Sequence, residues 1–179
     1  ILKRYKPKGV VHCFSGSVEM AGELLKRGWM LSFNRKDSID HIETGWRFYK
    51  ERLWLAGLCY WTGFDYRGES NPMVWPATGS QFGIFDYCGF PKDEAYYLKS
   101  WWTDEPVLHI CGPAGGTVRV YSNCEKVELF QGRKSLGRKV MPRDGHLDWE
   151  VSDASATFTA RGYSKGKKTL TDIYPEKVE

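Results

Sequence analysis

The 179-residue sequence lacks the cysteine spacing that a zinc ribbon or a disulfide scaffold needs. Its five cysteines (Cys13, Cys59, Cys88, Cys111 and Cys124) are odd in number and include no C-x-x-C pair, so a zinc site or a full disulfide framework is not expected, while a single bridge stays open. Histidine is scarce too, at four residues with no H-x-H pair, so a multi-histidine metal centre is not expected. No apolar run approaches the roughly 20 residues that span a bilayer, and no membrane partner is expected. Neither sign of charge dominates: 26 Lys and Arg stand against 22 Asp and Glu, a net charge of +4, too mild to imply a nucleic-acid partner. The opening residues ILKRYKPKG contain neither an initiator Met nor an apolar signal region, so the chain reads as a piece of something longer and carries no mark of its compartment.

Aromatics are what the chain has in excess. They make up 15% of the residues, with 8 Trp, while the 41% hydrophobic and 27% charged content is that of an ordinary folded protein. The excess concentrates in the run Leu55 to Asp93. Trp61, Phe64, Asp65, Tyr66, Glu69, Asn71 and Trp75 crowd one short stretch of it. Surface loops normally favour Ser, Asn, Asp, Gly and Pro, which turn the chain. Flat aromatic faces beside carboxylates suit a sugar-binding cleft, with faces for stacking and acceptors for hydroxyls. The same composition suits an aromatic cover over a small core, and composition alone does not separate the two.

Two periodicities divide the chain. GVVHCF (9–14), WMLSF (29–33) and WLAGLCYW (54–61) are compact buried-strand candidates. Between the first two, Ser17 is placed to cap a helix whose Val18, Ala21, Leu24 and Leu25 share one face and which Gly28 ends. A second helix, capped by Asp37 or Ser38, carries Ile39, Ile42, Trp46 and Tyr49 at three- and four-residue steps, and a third is expected over Asp93 to Trp101. Strand, helix, strand, helix, strand is the grammar of a parallel α/β sheet. After Pro106 the runs VLHI, TVRVYS, KVELF, KSLGRKV, HLDWEV, ATFTARGY and KKTLTDI recur about every 8–12 residues, which predicts an antiparallel sandwich of immunoglobulin type. The basic stretch Arg133 to Arg143 has no interleaved aromatics and reads as a solvated sandwich face.

The segments ETGWRFYKERLWLAG, WTGFDYRGE, NPMVWPATGSQFGIFDYCGFPKD, YYLKSWWTDEPVLHI and YSNCEKVELF with KSLGRK resemble glycoside hydrolase family 2, the β-galactosidase-like enzymes, from about residue 39 to the C-terminus. The resemblance implies a fold of α/β plus all-β type. Residues 1–105 would hold part of a (β/α)8 TIM barrel ending in WLAGLCYW, and 106–179 an immunoglobulin-like β-sandwich. It implies a β-galactoside-type carbohydrate as partner, with Trp61, Asp65, Tyr66, Glu69 and Trp75 at the sugar site. It also implies Na⁺ or Mg²⁺ near the barrel mouth, with Asp86 as the candidate ligand. Such relatives are often periplasmic or secreted. Residues 8–33, KGVVHCFSGSVEMAGELLKRGWMLSF, resemble instead the TatD-like metal-dependent deoxyribonucleases, whose HCFSGS histidine, here His12, binds metal. The chain thus reads as a chimera joined near Asn34.

The family's two catalytic glutamates belong to barrel strands ahead of the WTGFDY segment, so a catalytic pair is not expected here. The family's aromatic PHWNW-type loop is also replaced, by HICGPAGGTVRV. Function is therefore expected to be that of a glycosidase fragment that hydrolyses glycosidic bonds only within a complete barrel. A non-catalytic carbohydrate-binding module and a TatD-like nuclease are the alternatives. Open edges of a partial parallel sheet predict self-association.

Overall fold

In the computed structural model, residues 9–11, 14, 17–31, 40–52, 60–70 and 73–175 are described. The chain divides into two compact units, 1–58 and 59–179, and the expected division at 105/106 falls inside the second.

In the first unit, β1 (Val10–Val11) and β2 (Met30–Leu31) pair in parallel around α1 (Val18–Lys26), followed by α2 (Asp40–Lys50). Ser17 caps α1 as its position predicts: its hydroxyl accepts from the Met20 amide at 3.3 Å, and Glu19 sits in the first turn where the helix dipole favours an anion. Leu24 and Ile42 are buried. Residues 53–59, most of the expected third strand, lie outside the described residues. Tyr60 and Trp61, its last two positions, do not adopt strand structure.

In the second unit, the short strands β3 (Tyr66–Arg67) and β4 (Gly79–Ser80) pair antiparallel, and α3 (Asp93–Trp102) follows. Seven strands complete it: β5 (Leu108–Ile110), β6 (Thr117–Ser122), β7 (Lys126–Gln131), β8 (Lys134–Val140), β9 (Leu147–Glu150), β10 (Phe158–Ser164) and β11 (Lys167–Tyr174). Each falls on one of the seven runs read after Pro106. They form two antiparallel sheets, β5-β6-β9 and β11-β10-β7-β8, so the described residues are mainly β with three helices.

Alternation explains why these strands bury one face. Val118 and Val120 of β6, Val127 and Leu129 of β7, and Phe158 and Ala160 of β10 are fully buried, and Leu147 and Trp149 of β9 join them in one cluster drawn from both sheets. Burying each large apolar side chain contributes about 1.5–3 kcal/mol, and the close register adds packing. Gly162 sits opposite Val127, and a Cβ there would meet the Cys124 Sγ at 2.6 Å. The basic stretch 133–143 builds β8, an exposed edge strand rich in Lys and Arg, which discourages further strand addition. Arg138 lies 3.9 Å over the Tyr163 ring and bonds Glu128 at 2.8 Å.

Helix α3 packs on this core through Tyr97, Leu98 and Ser100. The Tyr97 hydroxyl donates to the Asp144 carbonyl at 2.9 Å, and its ring meets Tyr121 edge-on at 5.3 Å. Helix α3 is thereby anchored to the sheet that carries Tyr121.

Candidate functional site

The aromatic loop (60–92) has little regular structure but a dense backbone network. The Asp65 amide donates to the Phe85 carbonyl, the Phe85 amide to Gly63, and the Ile84 amide to Thr62, so residues 62–65 run alongside 82–85. Below the β3–β4 hairpin, the Tyr87 hydroxyl donates to the Tyr66 carbonyl at 3.2 Å. Gly83 has no room for a side chain: a Cβ would come within 2.2 Å of the Asp65 nitrogen.

On this frame the five residues expected at a sugar site fall into three environments. Trp61, Tyr66 and Glu69 form one row. The Trp61 indole N–H donates to the Tyr66 hydroxyl at 3.4 Å, and that hydroxyl donates to Glu69 Oε2 at 2.8 Å. The two rings meet edge-on with centroids 6.3 Å apart, an aromatic geometry favoured by ring quadrupoles. Trp61 is 65% exposed, so its ring face is open to solvent. Trp75 stands apart, 86% exposed, beside the exposed Val74. Asp65 points inward instead: its Oδ1 accepts from Lys92 Nζ at 2.7 Å and from the Gly83 amide at 2.9 Å. Lys92 also donates to the Gln81 carbonyl, which fixes the ammonium over the loop's return strand. The local pair Asp65 and Glu69 is thus split, one carboxylate neutralised inside and the other held at the surface by a phenol.

Asp86 is tied into its own turn. Its Oδ1 accepts from the amides of Cys88 at 2.8 Å and Phe90 at 2.9 Å, and its carbonyl accepts from Gly89. Its Oδ2 carries neither of these bonds, and no group of three His, Cys, Asp or Glu ligands among the described residues includes Asp86. His12, the other metal candidate, lies outside the described residues, as does Asn71.

Sequence reasoning missed Lys92, Gly83 and a second polar cluster. Asp93 in the first turn of α3, His109 in β5 and Cys111 just after it place their ligand atoms within 4.8 Å of one another. The His109 Nε2 to Asp93 Oδ1 distance is 2.6 Å, and Tyr96 stacks on the imidazole at 3.8 Å. Burial, with Asp93 adding to it, pushes the Cys111 thiol pKa far up. A cavity of about 350 Å³ lies elsewhere, at the C-terminal end of α3 beside Trp101, Trp102 and Arg143.

A family model described as a domain of unknown function, DUF4982, matches residues 116–170, from β6 into β11. Beta-galactosidase BoGH2A of Bacteroides ovatus is 37% identical over 133 residues, covering 70% of this chain and 16% of that protein. A putative beta-glucuronidase of Formosa agariphila is 33% identical over 136 residues, covering 68% of this chain and 13% of that protein. The solved structure of a beta-glycosidase from Bacteroides vulgatus superposes with a TM-score of 0.66 at 33% identity, covering 81% of this chain and 19% of that one. The chain spans less than a fifth of the length of each of these three relatives. Its homologues are glycoside hydrolase family 2 enzymes of the β-galactosidase and β-glucuronidase kind.

Proposed function

We propose that this chain carries the aromatic rim of a β-glycosidase site, with an immunoglobulin-like sandwich behind it, and that hydrolysis arises only when a complete (β/α)8 barrel supplies the paired carboxylates. The exposed row Trp61–Tyr66–Glu69 carries this reading. It sets an open indole face beside a phenol and a carboxylate, one surface to stack on a sugar ring and two groups to meet its hydroxyls. Asp65 positions the row from below through Lys92 and Gly83. Trp75, at the loop tip, would extend the stacking surface toward a longer glycan.

Retaining glycosidases need two carboxyl groups about 5–5.5 Å apart, one as nucleophile and one as general acid/base. Asp65 is held in an ion pair with Lys92, and Glu69 accepts from Tyr66, which supports a structural and rim role for these two carboxylates. The chain by itself then acts as a carbohydrate-binding module. Incubation with chromogenic β-galactoside and β-glucuronide is expected to release no chromophore, and DNA with added divalent metal is expected to stay intact. Steady glycoside turnover by the purified chain would contradict the reading.

The sandwich topology supports the immunoglobulin-like assignment: seven strands split three and four, with hairpin-linked β7–β8 and β10–β11 in one sheet. In the constant-type arrangement the fourth strand in chain order joins the first two; here β8 pairs with β7. The βα unit of the N-terminal region, read as a barrel piece, would leave parallel-strand edges open, so the chain is expected to self-associate. Light scattering checks this, and a monodisperse monomer would count against it.

A further inference from the structure

We propose that Asp93, His109 and Cys111 form a binding site for a zinc-class divalent cation that clasps helix α3 to strand β5. The three side chains come from two elements, and their carboxylate oxygen, imidazole nitrogen and thiol sulfur lie within 4.8 Å of one another. Zn²⁺ takes oxygen and nitrogen ligands at about 2.0–2.2 Å and sulfur at about 2.3 Å, so ligand atoms around a tetrahedral ion stand roughly 3.3–3.6 Å apart. The Asp93 oxygen and His109 nitrogen, 2.6 Å apart in their hydrogen bond, therefore part slightly to admit the ion between them and the sulfur. The donor set is the mixture that borderline cations accept: thiolate and imidazole suit zinc, and a carboxylate completes three protein ligands with a fourth position for water.

The imidazole is already oriented. Tyr96 stacks flat on it, with 8° between the planes, and aims Nε2 at Asp93 Oδ1, 2.6 Å away. Cys111 is buried at 7% exposure and faces Asp93, with Glu94 adding negative charge nearby. Arg119, the cation close to Cys111, is engaged by Asp148 through two hydrogen bonds. An Asp–His pair that served only to dock the helix would not need a thiol turned toward it. When the cation binds, the sulfur–metal bond forms as the Cys111 thiol proton leaves to solvent. Any proton on His109 Nε2 moves to Nδ1 or to solvent. No group is oxidised or reduced.

The test uses the whole chain with Cys88→Ser, which removes the exposed thiol among the described residues, and Co²⁺ as the optical probe. One equivalent of Co²⁺ is expected to raise a thiolate-to-cobalt band in the near ultraviolet and tetrahedral bands in the visible, and Zn²⁺ is expected to displace them. His109→Gln and Asp93→Asn should each weaken Co²⁺ binding by at least about tenfold, and Cys111→Ser should abolish the thiolate band. Circular dichroism of each variant checks that it folds. If Cys111→Ser fails to fold, the two near-isosteric variants decide the matter. Absence of a thiolate band in the parent at saturating Co²⁺ would overturn the proposal. So would a band that persists unchanged in the folded His109→Gln and Asp93→Asn chains.

Discussion

Phe158→Ala is expected to destabilise the second unit by about 3–5 kcal/mol, the range for truncating a fully buried phenylalanine. Phe158 is wholly buried on β10, in register with Gln131 of β7 and Tyr174 of β11, and it belongs to the cluster shared by both sheets. Its neighbours are strand residues whose backbones are locked by ladders on either side. They cannot collapse far into the space the ring leaves, so the cavity term adds to the lost transfer energy. A domain has only about 5–15 kcal/mol of net stability, and the variant should therefore unfold at a much lower urea midpoint. A loss below about 1 kcal/mol in urea denaturation would mean that the two sheets do not share this core.

Asp65→Ala is the second large effect, expected at about 2–4 kcal/mol. Removing one member of a fully buried ion pair costs about 3–5 kcal/mol, because the other charge is stranded. Here Lys92 retains 28% of its side-chain exposure and can regain some water, which lowers the figure. The Gly83 amide, left without its acceptor in a buried spot, adds a further cost. Asp65→Asn keeps an acceptor for Gly83 and should cost less. The double variant Asp65→Ala with Lys92→Met removes the stranded charge and should recover part of the loss. Hydrogen exchange at the Gly83 and Phe85 amides reads the effect where it acts, and the Asp65→Ala chain should exchange there faster by about two orders of magnitude, following the energy above. Unchanged exchange would show that the pair does not hold the loop.

The strands of the two antiparallel sheets were the most legible part of the sequence because period-two alternation leaves a direct trace. TVRVYS buries Val118 and Val120 and turns Arg119 outward toward Asp148, as its pattern implies. The cap at Ser17 and the start of α3 after Pro91 were legible for similar local reasons. The candidate site was legible only as a place. That the loop carries exposed aromatics follows from its composition. Which carboxylate turns inward does not, since Asp65 is chosen by Lys92, 27 residues on, and by a backbone approach that only Gly83 permits. The pairing of Asp93 with His109 across 16 residues is equally silent in the sequence. The departure from regular strand at Tyr60 and Trp61 has a local reading too. Just past them, the backbone of residues 62–65 bonds with 82–85.

The most direct measurement of the central claim is calorimetric titration of the chain, and of its Trp61→Ala variant, with phenyl β-galactoside and phenyl β-glucuronide. Saturable binding of at least one glycoside by the parent, lost in a Trp61→Ala chain of unchanged circular dichroism, is the predicted result. A parent that binds neither glycoside, or a variant that binds as tightly as the parent, would contradict the assignment of the aromatic loop as a sugar-binding rim.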